Sequence, residues 1–118
     1  METSNFKGYP TWIDEFQGAV TVCDCQGVIL YMNNKAQLTF SSYGGQNLIG
    51  KSLFDCHQAI SSEKIKNLIN TGESNHYTIL KNGVKKIIHQ MPWFSNGKIA
   101  GLVEISIEIP AEMNHFNR

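Results

Sequence analysis

From residue 99 to 109 the chain reads "IAGLVEISIEI", and apolar side chains recur at every second position. Ile99, Gly101, Val103, Ile105, Ile107 and Ile109 share one face of an extended chain. Leu102, Glu104, Ser106 and Glu108 share the other. A period of two predicts a strand with one buried face, and the isoleucine-rich face is expected to point inward. Two strands are predicted before it, "NHYTILK" and "VKKIIHQMPWF". They turn at Asn82-Gly83 and Asn96-Gly97, the strongest short hairpin signal because type I′ turns need positive φ at both central residues.

Nearer the N-terminus, "GAVTVCD" and "VILYMN" read as two strands of a hairpin, with Asp24 to Gly27 as the turn. Asn33 or Asn34 suits a helix N-cap, since its side chain can accept a bond from an orphan backbone N–H. "NKAQLTF" then gives about two turns of helix, and "SSYGGQN" breaks it. "LIGKSLFDCH" suggests short turns. Ser61 or Ser62 is expected to cap "SEKIKNLINTG", whose Ile65, Leu68 and Ile69 make one apolar stripe and whose Gly72 ends it. A short amphipathic piece is expected at Trp12 to Phe16, after the break at "GYPTW". The element order predicts an α+β fold: a five-stranded antiparallel sheet with short helices inserted between strands 2 and 3.

A chain of 118 residues suits one domain. Ten basic residues balance ten acidic ones, so no basic excess points to nucleic acid or to an anionic membrane surface. No apolar run reaches a membrane span, and "METSNFKGYP" lacks the pattern of a secretion signal; the expected location is cytoplasmic. Cys23, Cys25 and Cys56 are three in number with no CxxC spacing, which favours reduced thiols over a disulfide framework or a zinc site.

The stretch "DCQGVILYMNNKA" carries Asp24, Gly27, Ile29, Tyr31, Asn33 and Ala36 as D-x-x-G-x-I-x-Y-x-N-x-x-A. With "LIGKSLFD" (48–55) and the closing "GKIAGLVEISIEI", it resembles the PAS domain family of sensory modules. The resemblance runs from about Trp12 to Pro110. It implies an N-terminal extension at 1–11, a sensory domain at 12–110 and a tail at 111–118. It also implies a ligand pocket between sheet and helices, signalling to an effector protein, and pairing of two copies. Thr21, Cys23, Tyr31, Phe40, Phe54, Ile65, Leu68, Ile69, Val103 and Ile105 are the expected lining. Val103 and Ile105 are expected to face Ile65, Leu68 and Ile69. Trp12, Phe16, Trp93, Phe94 and Leu102 are candidates for a homodimer contact.

The family's cofactors find little support in the motifs, and the cofactor stays unknown. Light-sensing members carry a reactive cysteine in an "NCRFLQ"-type motif; Cys56 in "KSLFDCHQA" has different neighbours, so flavin is not expected. Haem-binding members use a histidine on or near the long helix. His57 is the first candidate for that alternative and His76 the second, although Gln58 stands where a subset of the family has proline. His89 reads as a strand residue paired across the sheet, and Asp14-Glu15 as a solvated face. GxSxG, HExxH and phosphate-loop motifs are absent from the sequence, so no enzymatic activity is expected. A purely structural dimerisation module is the remaining alternative.

Overall fold

The computed structural model describes residues 10–56 and 59–118. A 3-10 helix at Thr11–Glu15 leads into β1 (Ala19–Asp24) and β2 (Ile29–Met32). Then come α1 (Asn34–Thr39), 3-10 turns at Ser41–Tyr43 and Gly45–Leu48, α2 (Leu53–Cys56) and α3 (Ala59–Thr71). β3 (Asn75–Lys81), β4 (Val84–Ser95) and β5 (Lys98–Glu108) close the chain. All five strands form one antiparallel sheet in the order β2-β1-β5-β4-β3. Two strands precede the helices and three follow, as the hydrophobic pattern predicts.

Local chemistry sets the turns. Asp24 Oδ1 accepts from the backbone N–H groups of Gln26 and Val28, both at 2.9 Å. The chain then reverses at Gly27, where φ is +80° and the Phe54 ring lies so close that a Cβ would sit 2.7 Å from it. Asn82 and Asn96 both adopt φ of 53°, so the two Asn-Gly pairs form the expected tight hairpins, with Lys81 opposite Val84 and Ser95 opposite Lys98. Pro92 is tolerated within β4 because β3 pairs with that strand only as far as Gln90.

Asn33 caps α1 by accepting from the Ala36 N–H at 3.0 Å. The same oxygen accepts from the Val20 N–H at 2.9 Å, and the amide nitrogen donates to the Gly18 carbonyl at 2.8 Å and the Ile13 carbonyl at 3.1 Å. One buried side chain therefore joins α1, β1 and the N-terminal 3-10 helix. α3 begins at Ala59, upstream of the serines expected to cap it. Ser62 lies inside the helix, buried, and its hydroxyl donates to the Phe54 carbonyl at 3.4 Å. Gly72 closes the helix with its N–H donating to Leu68 O at 2.8 Å.

The expected inner face of β5 is inverted along most of its length. Register with β4 runs Ser95–Lys98 and Phe94–Ile99, then jumps to Trp93–Gly101, leaving Ala100 as an extra residue. This bulge turns the alternation over. Ile99 lies on the helix side, its Cδ1 3.0 Å from where a Gly72 Cβ would stand. Beyond the bulge the helix side belongs to Leu102, which is buried with Cys23, Ile65, Leu68 and Ile69. Val103 and Ile105 pack on the opposite face, against Val20, Val22, Tyr31, Ile13 and Trp93. Leu102 is thus core, not part of a dimer patch. A third cluster sits under α1: Ala19, Ile29, Met32, Ala36 and Leu48.

Two substitutions test these constraints by chemical denaturation. Asn33→Ala removes a cap and strands buried backbone groups, and should cost about 2–4 kcal/mol; a loss below about 0.5 kcal/mol would contradict the linking role. A Cβ on Gly101 would collide with the Cys23 carbonyl oxygen and approach Trp93 Nε1 to 2.7 Å. Gly101→Ala should therefore cost about 3 kcal/mol or more, and a neutral result would remove the bulge argument.

Candidate functional site

The helix-side face of the sheet divides into an apolar half and a polar half. The apolar half is where α3 lands: Cys23, Leu102, Ile65, Leu68 and Ile69, with Leu53 and Phe54 packed against it. The Lys66 ammonium sits 5.0 Å above the Phe54 ring. The polar half follows from register. Gln90 lies opposite Glu104 on β5 and opposite Asn75 on β3, and Thr21 of β1 lies on the far side of Glu104. Gln90 Nε2 donates to Glu104 Oε2 at 2.8 Å, and Asn75 Nδ2 donates to Gln90 Oε1 at 3.0 Å. Gln90 and Thr21 are buried, and Glu104 and Asn75 half-buried. Ile88 and Tyr77, opposite one another, flank this row.

The row ends in open valences. Gln90 uses its carbonyl on Asn75 and one amide hydrogen on Glu104. Its second amide hydrogen and the other Glu104 oxygen have no protein hydrogen bond among the described residues. A carboxylate beside an amide presents one acceptor and one donor side by side. Its charge is felt locally: burial first, and the Glu104 carboxylate second, push the Tyr77 phenol above its usual range. Burial also pushes the Cys23 thiol up to about 11. A backbone hydrogen bond with Leu102 opposes this, and the charges of Asp24, Cys25 and Glu104 add to it.

Of the residues expected to line one pocket, the structure gathers Cys23, Phe54, Ile65, Leu68 and Ile69, with Thr21 on the same face of the sheet. Phe40 belongs to the separate cluster under α1. Tyr31, Val103 and Ile105 lie on the outer face. There the Tyr31 hydroxyl donates to Asp14 Oδ1 at 2.6 Å, so Asp14 is a structural partner rather than part of a solvated face. His76 also faces outward and pairs with His89, which removes it as a haem ligand on the helix side. His57 lies outside the described residues. The sequence pattern assigns no site role to Gln90, Glu104 and Asn75, and places Leu102 in a dimer contact instead. Their common signal is cross-strand register, and the bulge at Ala100 shifts Gln90 from Val103 to Glu104.

The helix-side row is distinct from a solvent-facing groove of about 580 Å³ between the N-terminal 3-10 helix, α1 and the end of β5. That groove is lined by Phe16, Lys35, Leu38 and Ile107, and Lys35 reaches Glu108 across it at 3.8 Å. Among the described residues no group of three or more His, Cys, Asp or Glu side chains gathers as a metal centre. No helix there is long and apolar enough to cross a membrane.

A family model described as the PAS fold matches residues 13–112. No curated protein matches the chain in sequence. Among solved structures, the VqmA dimer of Vibrio cholerae, described as a LuxR-type receptor, is 20% identical with a TM-score of 0.62, over 82% of this chain and 48% of that one. The PAS domain of histidine kinase ThkA is 18% identical with a TM-score of 0.62, over 75% of this chain and 96% of that one. The Aer2 receptor of Vibrio cholerae, described as a dual PAS-haem oxygen sensor, is 15% identical with a TM-score of 0.59, over 79% and 95%. The chain spans about half the length of the VqmA chains it matches. At these identities the likeness is one of fold.

The two thiols flanking the first turn should react differently. Cys25 is exposed and Cys23 buried. With a pKa near 11, Cys23 has about a hundredth of the thiolate of an ordinary thiol at pH 8. Iodoacetamide at pH 8 should modify Cys25 and leave Cys23 intact until the protein is unfolded, as read by peptide mass spectrometry. Equal modification of both in the native protein would mean that β1 is not packed under α3.

Proposed function

The chain belongs to the PAS-fold family, and we propose that it is a non-catalytic sensory module that binds a small molecule between the sheet and the helices. The carrying observation is the row Asn75–Gln90–Glu104, hydrogen-bonded end to end beside the apolar patch of Cys23, Leu102 and Leu68. A mostly apolar surface with a few convergent polar groups is the usual make-up of a ligand site. The open Glu104 oxygen and the second Gln90 amide hydrogen suit a small ligand with a hydrogen-bond donor next to an acceptor, such as a nitrogen heterocycle carrying an N–H or O–H. Among the structural neighbours, VqmA is described as bound to DPO. On this reading the module passes its signal to an effector protein and pairs with a second copy through its N-terminal segment. The VqmA neighbour is itself described as a dimer.

Native mass spectrometry and solvent extraction of the purified protein test the site. The wild type should retain a small molecule, or gain thermal stability with one from a heterocycle set. Glu104→Leu should lose that response while keeping its fold by circular dichroism. A Soret or flavin band in the purified protein would overturn the colourless-ligand reading. So would an unchanged response in Glu104→Leu.

A further inference from the structure

We propose that His76 and His89 form a surface chelate for a divalent transition-metal ion of the Cu(II) or Ni(II) type, on the sheet face turned away from the helices. The two residues are direct register partners on β3 and β4. Their Nδ1 atoms approach to 2.7 Å, with ring centroids 4.9 Å apart and ring planes at 68°. His76 is exposed and His89 half-buried, so an ion from solvent reaches both nitrogens. The site is separate from the helix-side row and does not depend on what binds there.

The geometry selects the kind of ion. A neutral imidazole offers one nitrogen lone pair, and two such nitrogens at hydrogen-bond distance share either a proton or a cation. With bonds of about 2.0 Å, cis ligands on a square plane stand about 2.8 Å apart, whereas two corners of a tetrahedron stand about 3.3 Å apart. The observed separation matches the square plane, the preference of Cu(II) and Ni(II), and would have to widen for Zn(II). The ladder that pairs β3 with β4 fixes both Cα positions, so little ordering is needed to bring the rings together. His89 is flanked on its face by Ile87, Met91 and, across β5, Ile105. No third His, Cys, Asp or Glu joins the pair among the described residues. The remaining equatorial positions therefore go to water, giving an open chelate that clamps β3 to β4.

The test is calorimetric titration of the full chain with CuSO4 and NiCl2, alongside the electron paramagnetic resonance spectrum of the Cu(II) form. The wild type should bind one Cu(II) more tightly than Ni(II), and Zn(II) less tightly than Cu(II), with nitrogen coupling in the spectrum. His76→Gln and His89→Gln should each weaken Cu(II) binding about tenfold or more, and the double variant should lose the nitrogen coupling. His115→Gln, in the exposed C-terminal segment, should bind as the wild type does. Both strand variants replace accessible side chains with polar ones, and an unchanged circular dichroism spectrum confirms the fold. Cu(II) binding of wild-type affinity in the double variant would place the ion elsewhere and overturn the proposal. So would a wild-type chain that binds no Cu(II).

Discussion

The side chain of Asn33 is the constraint on which the arrangement of segments depends. It is 1% exposed, so water cannot replace the bonds it makes to the backbone groups around it. Those groups belong to Gly18 and Ile13 before β1, to Val20 within β1 and to Ala36 at the start of α1. Its own backbone completes the junction: its N–H donates to Val20 O at 3.1 Å, and its carbonyl accepts from Gln37 N at 3.0 Å. Only an amide can do this, because the site needs an acceptor for two N–H groups and donors for two carbonyls from one short side chain. Aspartate has no donor and leucine has neither. Tyr31, two residues earlier, fixes the same 3-10 helix from the other side through Asp14.

Much of the fold could be read in the sequence because its signals are local. The Asn-Gly turns, the Asp24 turn, the Asn33 cap and the Gly72 stop each follow from chemistry within a few residues. The stripe of Ile65, Leu68 and Ile69 does face the sheet, since helical periodicity does not depend on a partner. The face of β5 was not legible for a definite reason. Alternation reveals that two faces differ, not which one is inward, and a single bulged residue exchanges them. Ala100 carries no mark of a bulge; only its neighbour Gly101, which must admit the Cys23 carbonyl and the Trp93 indole, hints at one.

The consequence is a sheet whose more apolar face is the outer one. Val103 and Ile105 are half-buried under Ile13, Tyr31 and Trp93, while Ile107 is 39% exposed. The helix-side face of the same strand carries Leu102, then Glu104, Ser106 and Glu108. A helix layer that covered this whole face would strand the Glu104 carboxylate. Instead α3 packs where Cys23 and Leu102 supply apolar surface, and the carboxylate keeps Gln90 as its partner. The candidate site was illegible for the same reason as the face. Asn75, Gln90 and Glu104 are far apart in sequence and become neighbours only through register.

β1 connects the two faces. Its odd-numbered side chains, Thr21 and Cys23, lie on the helix side, and its even-numbered ones, Val20 and Val22, lie in the outer cluster. The Trp93 indole donates to the Cys23 carbonyl at 2.9 Å, passing beside Gly101, and Asn33 holds the Val20 N–H. A close-packed strand gripped at both ends in this way has no slack. Displacing Thr21 or Cys23 from the helix side must move either the Trp93 contact or the Asn33 junction. The Asn33 junction is the one that holds the N-terminal segment, so β1 and one buried amide join the helix-side face to that end of the chain.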